Sequence, residues 1–152
     1  MSRSFTLGVP GDKSITHRAL LLSSIANGES RIRGALDSAD TRSTVDVLRA
    51  LGVRMPPTLS NEFRVAGGGL HCWRAPARDL DCGNSGTTAR LVMGALAGRS
   101  FASVLTGDHS LQSRPMRRVT SPLGIMGARF DNLGDPDRLP IRVRGGPLSP
   151  LD

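Results

Sequence analysis

Residues 9–26 read VPGDKSITHRALLLSSIA, a turn signal followed at once by an apolar run. The stretch contains Lys13, the single lysine of a chain whose lysines and arginines together number 20. Ser14 is the expected N-cap of a buried helix, and Gly28 is expected to end that helix. The N-terminus of a helix attracts anions, and Lys13 and Arg18 add full positive charges here. The stretch therefore predicts a site for a phosphorylated or carboxylated small molecule.

The composition is typical of a globular domain, with 38% hydrophobic and 22% charged residues among 152. A chain of this length is expected to form one domain with a substantial core. No apolar run approaches the roughly 18 residues of a membrane span, and the first residues lack the apolar centre of a signal peptide. We therefore expect a cytoplasmic location. Cys72 and Cys82 form no CxxC pattern, so we expect two reduced, packed thiols.

The net charge of +7 raises the question of nucleic-acid binding. The sequence argues against it, because the basic residues are scattered and the longest basic run is Arg117-Arg118. Aromatic residues for stacking on bases are also scarce, with four Phe, one Trp and no Tyr. An excess of positive charge suits acidic substrates better, because it raises their encounter rate.

The first half of the chain predicts an alternation of strands and helices. We expect strands at residues 4–9, 30–36, at Val53 and at 62–66, helices at 16–27 and 41–51, and a flexible link at 67–69. The first helix is apolar nearly all round and is expected to be buried. The second is amphipathic and closed by Gly52, with Val45, Leu48 and Leu51 on one side and Arg42, Asp46 and Arg49 on the other.

The second half repeats this order. We expect strands at residues 79–82, 101–106, 128–132 and 139–143, a helix at 89–97 stopped by Gly98, and a helix opened by Arg114-Pro115 that ends near Gly127. Gly28-x-Ser30 matches Gly98-x-Ser100 at an offset of 70 residues. The prediction is an α/β fold built from two copies of one β-α-β-α-β-β unit.

Two further stretches predict anion binding. In GNSGTTAR, residues 83–90, the glycines let backbone N–H groups approach a ligand, hydroxyls cap the helix, and Asn84 can donate from its amide. A purely structural role, as a tight turn between a strand and a helix, explains these residues equally well. Arg114, directly before a predicted helix start, can bind a phosphate or carboxylate through two parallel hydrogen bonds.

No catalytic triad, metal cluster or carboxylate pair stands out in the sequence. Asp37 and Asp40 are most simply helix caps, and His17 is expected to pack at the entry of its helix. His109 and His71 are expected to be exposed loop residues. Three anion-binding turns can hold substrates, but they do not by themselves complete a mechanism.

Taken together, three stretches closely resemble the 5-enolpyruvylshikimate-3-phosphate (EPSP) synthase family. They are VPGDKSITHRALLLSSIANGES, LDCGNSGTTARLVMGALAG and LTGDHSLQSRPMRRVTSPLGIMGA, and the similarity runs from about Leu7 to Val143. The related UDP-N-acetylglucosamine enolpyruvyl transferases fit less well. They typically carry Asn where this chain has Ser14, and a cysteine in the loop before Arg114 that this chain lacks.

The resemblance implies transfer of the enolpyruvyl group of phosphoenolpyruvate to the 5-hydroxyl of shikimate 3-phosphate, in the pathway to aromatic amino acids. It implies addition, a tetrahedral intermediate and loss of phosphate, without a metal or other cofactor. Lys13 would touch both substrates and assist proton transfer. The other implied substrate-binding residues are Ser14 and Arg18 for shikimate 3-phosphate, and Asn84, Gly86 and Arg114 for phosphoenolpyruvate. Thr87 is a further implied substrate-binding residue.

The resemblance also implies the enolpyruvyl transferase fold, an inside-out α/β barrel of two globes with three units each. This chain would supply two units of one globe, at roughly residues 13–78 and 79–150, with the third unit and the second globe outside it. The catalytic Asp and Glu of the family come later in its sequence. The chain alone is therefore expected to be inactive, and the rest of the enzyme is its expected partner. A non-catalytic anion-binding fragment is the alternative interpretation.

Overall fold

A computed structural model describes residues 9–150. The helices are α1 (Lys13–Ile25), α2 (Ala39–Ala50), α3 (Gly86–Ala97), α4 (His109–Gln112) and α5 (Arg117–Ile125). The strands are β1 (Asn27–Arg33), β2 (Glu62–Gly68), β3 (Leu80–Asp81), β4 (Ala102–Thr106), β5 (Arg129–Asn132) and β6 (Ile141–Arg144). The predicted mixture of helices and strands is confirmed. The strand predicted at 4–9 lies outside the described residues except at Val9, which is in neither a helix nor a strand.

Two sheets accompany these helices. Strands β1 and β2 form an antiparallel ribbon whose register runs from Asn27 opposite Gly68 to Arg33 opposite Glu62. The second sheet has the order β3-β4-β6-β5, in which β3 and β4 are parallel and the remaining pairs are antiparallel. A parallel pair needs a crossover connection, and α3 provides it between β3 and β4. The start of α3 therefore lies just beyond the end of β3.

Helix α1 begins one residue earlier than its predicted cap. Asp12, not Ser14, is the N-cap, because its Oδ1 accepts the Ile15 N–H at 2.7 Å. The prediction that Gly28 ends the helix is also wrong. The helix ends at Ile25, and Gly28 lies in β1 with a φ of 92°, a left-handed conformation that glycine adopts readily.

The prediction that α1 is buried all round is wrong for one face. Ile15 and Leu22, seven residues apart, remain 68% and 60% exposed. The opposite face carries Thr16, His17 and Leu20, which are all buried. An apolar run without a 3.6-residue period cannot indicate which face turns inward.

Helix α2 confirms the predicted amphipathic pattern. Val45, Leu48 and Leu51 are buried, whereas Arg42, Asp46 and Arg49 are exposed. The cap lies within residues 37–40, as predicted, but it is Ser38, in a capping box with Thr41, and not Asp37 or Asp40. Gly52 follows the helix with a φ of 89°, as expected of a residue that closes a helix.

The hydrophobic core lies between α1, α2, α3 and the two sheets. Its fully buried members include Leu20 of α1, Leu48 of α2, Met93 of α3, Leu105 of β4 and Ile141 of β6. Burying each such side chain is worth about 1.5–3 kcal/mol. This packing holds the first turns of the three helices in fixed positions.

Several predicted boundaries are corrected in the connecting segments. Val53 forms no strand, and Gly67 and Gly68 belong to β2 rather than to a flexible link. The helix predicted from Arg114-Pro115 begins at Arg117, after the short helix α4 that the sequence did not predict. The chain between residues 79 and 150 thus runs β3-α3-β4-α4-α5-β5-β6.

Candidate functional site

The first turns of α1, α2 and α3 converge on Asp40. The Lys13 ammonium at the start of α1 donates to Asp40 Oδ2 at 2.8 Å. The Thr88 hydroxyl oxygen in α3 lies 3.3 Å from the Asp40 main-chain oxygen. The three helix starts, and with them the first two predicted anion motifs, therefore lie at one end of the molecule.

Lys13 is only partly neutralised by this contact. Its side chain is 50% exposed, and that of Asp40 is 28% exposed. An ion pair at this level of exposure is worth about 0–1 kcal/mol. A doubly charged ligand can therefore compete for the ammonium. The role predicted for Asp40 as a helix cap is wrong, since the carboxylate instead pairs with Lys13.

Ser14 and Arg18 lie on the exposed side of α1. The Arg18 guanidinium folds back and donates to the Ser14 main-chain oxygen at 3.0 Å. Arg90 does the same in α3, where it donates to the Gly86 oxygen at 3.2 Å. Both arginines therefore sit beside a helix N-terminus, where a cation opposes the helix dipole and an anion would relieve the repulsion.

Gly86 allows two guanidinium groups to approach the start of α3. A Cβ atom at Gly86 would lie 2.6 Å from Arg90 Nη1 and 3.4 Å from Arg114 Nη1. Ser85 caps this helix through the Thr88 N–H, and Thr87 is half-buried beside Gly86. The first turns of α1 and α3 carry no acidic residue, so their N–H groups and cations favour an anion.

Arg114 is held by a short chain of polar groups. Its Nη2 donates to Asn84 Oδ1 at 2.6 Å and to Ser110 Oγ at 3.2 Å. The Asn84 amide nitrogen in turn donates to Asp108 Oδ2 at 2.7 Å. Asp108 therefore determines which way the Asn84 amide faces, and Asn84 presents its oxygen to Arg114.

Asp108 has two functions in this chain of contacts. Its Oδ1 accepts the Leu111 N–H at 2.8 Å and so caps α4. The hydrogen bond from Asn84, supported by that from the Leu111 N–H, holds the pKa of Asp108 below its ordinary value. The carboxylate is therefore charged at neutral pH, and it draws the Asn84 amide N–H toward itself.

The structure thus brings the predicted residues into two neighbouring groups. Lys13, Ser14 and Arg18 lie at the start of α1. Asn84, Gly86, Thr87 and Arg114 lie around the start of α3. Sequence reasoning did not single out Asp108. An Asp three residues before a buried leucine, at the start of a short apolar-polar segment, was the available signal for a helix cap.

These residues do not line a closed cavity. A cavity of about 490 Å³ lies beside them, between α2 and β3, and is lined by Asp46, Asp79, Asp81, Arg49 and Arg78 among others. None of the seven predicted site residues borders it. The mixed charges of this cavity do not suit an anion, so the site is better described as an open surface at the helix starts.

Three further features of the described residues concern metal binding, cysteine reactivity and membrane-spanning helices. Within residues 9–150, no group of three or more His, Cys, Asp or Glu side chains is arranged to hold a metal ion. Cys72 and Cys82 are both free thiols, and burial raises the pKa of Cys82 to about 12. No helix of the described chain is long and apolar enough to cross a membrane. The cytoplasmic location stays a prediction.

Solved structures identify the fold class. Two structures of EPSP synthase from Acinetobacter baumannii superpose with a TM-score of 0.87 at 40% sequence identity, over 92% of this chain and 32% of theirs. The chain therefore has the enolpyruvyl transferase fold, without a closed barrel in the described residues.

The family is equally clear from sequence. The profile of EPSP synthase (3-phosphoshikimate 1-carboxyvinyltransferase) matches residues 4–152, so the chain belongs to the EPSP synthase family. A 3-phosphoshikimate 1-carboxyvinyltransferase of Halorhodospira halophila is 52% identical over 95% of this chain and 32% of its own length. One of Chloroflexus aurantiacus is 54% identical over 92% of this chain and 32% of its own length. The chain thus spans about a third of the length of the curated relatives it matches.

Proposed function

We propose that this chain supplies one side of the substrate site of a 3-phosphoshikimate 1-carboxyvinyltransferase. The reaction transfers the enolpyruvyl group of phosphoenolpyruvate to the 5-hydroxyl of shikimate 3-phosphate and releases phosphate. The supporting observation is that the starts of α1 and α3, with no acidic residue in either first turn, converge with Lys13 and Arg114 at one end of the molecule. Both substrates are anions, and each needs donors of this kind.

The two groups of residues have separate tasks in this proposal. Ser14 and Arg18, at the start of α1, hold shikimate 3-phosphate. Asn84, Gly86, Thr87 and Arg114 form the phosphoenolpyruvate side of the site. Within residues 9–150, both hydrogen bonds that the Arg114 guanidinium donates come from Nη2, which leaves Nε and Nη1 for a ligand. A charge-assisted hydrogen bond of this kind is worth about 1.5–3 kcal/mol.

Lys13, from the group at the start of α1, contacts both substrates in this proposal. In the addition step, C3 of phosphoenolpyruvate gains a proton while the 5-hydroxyl oxygen bonds to C2 and loses its own. In the elimination step, the tetrahedral intermediate loses phosphate and a C3 proton. The Lys13 ammonium assists these proton transfers and stabilises the charged phosphate, while carboxylates elsewhere in the enzyme complete the acid–base set.

The single lysine makes a direct test possible. Labelling with ¹⁵N-lysine gives one backbone signal, that of Lys13, in a chain of 152 residues. We expect shikimate 3-phosphate and phosphoenolpyruvate each to shift this signal in a saturable way. The matched control is Arg129→Met, which also removes one positive charge, from an exposed position on β5, and should leave both titrations unchanged.

Two outcomes would contradict the proposal. If neither ligand shifts the Lys13 signal, then the start of α1 does not bind these anions and the proposed site is wrong. Saturable binding without enolpyruvyl transfer, after the chain is joined to the remaining two thirds of a family member, would favour the non-catalytic alternative.

A further inference from the structure

Four buried side chains connect α1, α2 and the start of α3. His17 Nδ1 lies 2.7 Å from Thr44 Oγ1, which lies 2.7 Å from Thr88 Oγ1. The Thr88 hydroxyl donates to Ser85 Oγ at 2.7 Å. All four residues are at most 1% exposed. Polar groups buried this completely are costly unless their hydrogen bonds are all well made.

The donors in this chain of hydrogen bonds can be assigned by counting protons. Thr88 has a single hydroxyl proton, which it donates to Ser85 or to the Asp40 main-chain oxygen. In the contact between Thr44 and Thr88, Thr44 must therefore be the donor. Thr44 then has no hydroxyl proton left to donate to His17. His17 Nδ1 must therefore carry the hydrogen that lies between His17 and Thr44.

The remaining ring nitrogen agrees with this assignment. His17 Nε2 is buried and has no hydrogen-bond partner among the described residues. If Nδ1 carries the hydrogen of a neutral ring, then Nε2 holds only a lone pair, and no N–H is left unpaired. Burial lowers the pKa of His17, the carboxylate of Asp40 opposes this, and the charges of Lys13 and Arg18 add to the lowering. The ring is therefore neutral at pH 7.

We propose that His17, as the neutral Nδ1–H tautomer, is a positioning residue that fixes the start of α3 relative to Lys13 through Thr44 and Thr88. The inference rests on the proposed function, because it concerns the same anion site. Phosphoenolpyruvate is the ligand that should be sensitive, since Lys13 reaches it from α1 and Asn84 and Gly86 reach it from α3. Shikimate 3-phosphate, held by Ser14 and Arg18 on α1 alone, serves as an internal control.

The tautomer can be read without any ligand. Long-range ¹H–¹⁵N correlations of the three histidine rings should show one ring with a protonated Nδ1 and an unprotonated Nε2 at pH 7, absent from His17→Asn. The exposed rings of His71 and His109 remain in the spectrum of His17→Asn and serve as reference signals. A His17 ring protonated at Nε2, or one that is charged at pH 7, would overturn the proposal.

The positioning effect is measured by affinity. His17→Asn keeps an N–H donor near the Nδ1 position and should bind phosphoenolpyruvate within about twofold of the parent chain. His17→Leu removes the donor and should bind about threefold to tenfold more weakly, the loss expected for one hydrogen bond. Shikimate 3-phosphate should bind both variants equally well.

The outcomes separate the two proposals. If the parent chain binds neither ligand, then the proposed function fails, whatever the tautomer. If the parent binds and His17→Leu, folded by circular dichroism, binds phosphoenolpyruvate equally well, then the positioning role fails. Should His17→Leu not fold, His17→Gln replaces it, because its longer side chain carries the amide N–H past the Nδ1 position. Normal phosphoenolpyruvate binding by His17→Gln would equally contradict the role.

Discussion

The starts of α1 and α3 have similar caps and first turns, but the cation beside each one has a different hydrogen-bond partner. Each helix begins behind a short polar cap, Asp12 or Ser85, and has no acid in its first turn. At α1 the cation, Lys13, is in direct contact with a carboxylate. At α3 the cation, Arg114, contacts a neutral amide, and the carboxylate of Asp108 lies one hydrogen bond further away.

This difference separates two ways of keeping a cation ready for an anion. Direct pairing at α1 reduces the charge seen by a ligand but leaves a long, exposed side chain free to change partners. At α3 the intervening amide orients the guanidinium and leaves its charge largely uncompensated. We therefore expect acid-to-amide substitutions to have opposite effects on the two sides.

The largest effect is expected from Lys13→Met. In a protein that extends this chain to the family's full length, turnover should fall about 100- to 10,000-fold, the range for a lost acid–base group. Melting temperature should hardly change, because the exposed pair with Asp40 contributes little stability. Steady-state phosphate release measures the first effect and thermal denaturation the second. Survival of full turnover would refute the role of Lys13, and Arg129→Met is the charge-matched control.

The next effect concerns Asp108→Asn. The new amide can still cap α4 through its oxygen, but it presents N–H groups to the Asn84 amide nitrogen in place of an acceptor. Asn84 should then turn or withdraw, and phosphoenolpyruvate should bind about threefold to tenfold more weakly. Isothermal titration measures this affinity. Asp37→Asn, which removes the exposed partner of Arg42, should leave it unchanged. Equal affinities for Asp108→Asn and the parent would show that the amide orientation is irrelevant.

The third effect has the opposite sign. Asp40→Asn removes the carboxylate that lies 2.8 Å from the Lys13 ammonium. Shikimate 3-phosphate should then bind about twofold to fivefold more tightly, in line with an exposed ion pair of at most about 1 kcal/mol. Asp46→Asn is the control on the same helix, since Asp46 pairs with Arg49 on the outer face. Weaker binding by Asp40→Asn would mean that Asp40 organises the site rather than competing for it.

The helices show what local sequence can predict about this fold. In α2, apolar and charged residues alternate with a helical period, so the buried side with Val45 and Leu48 was predictable. In α1 the apolar run has no such period. His17 and Thr16 are buried there while Ile15 is exposed, because the partner of His17 is Thr44, 27 residues away. Because a residue outside α1 decides which face of the helix is buried, the sequence of α1 alone cannot predict that face.

The site shows the same limit. The motifs indicated Asn84, Gly86 and Arg114 individually, since their residue types are those that bind anions, and the structure places them together. Asp108 went unrecognised because its partner Asn84 lies 24 residues earlier and a four-residue helix leaves little pattern. Residues that touch a ligand are recognisable by type. Residues that orient them are recognisable only by contact.

The smallest effect is the pH dependence that His17 adds to stability. The pKa of His17 is lowered in the folded chain, mainly by burial, so the unfolded chain binds a proton at a higher pH than the folded one. The contribution to the free energy of unfolding is therefore complete above pH 6.5 and is lost as the pH falls toward the folded-state pKa. Denaturant titrations between pH 7.5 and 5 measure it.

The three charged groups around the imidazole are the Asp40 carboxylate on α2 and the Lys13 and Arg18 cations on α1. Asp37, Glu62 and Asp108 have pKa values lowered by their partners, so their contributions to stability change at a lower pH. His17→Asn should flatten the slope of stability between pH 6.5 and 5. An equally steep slope in this variant would show that another group carries the dependence, and that the imidazole at the start of α1 is charged as easily inside the fold as outside it.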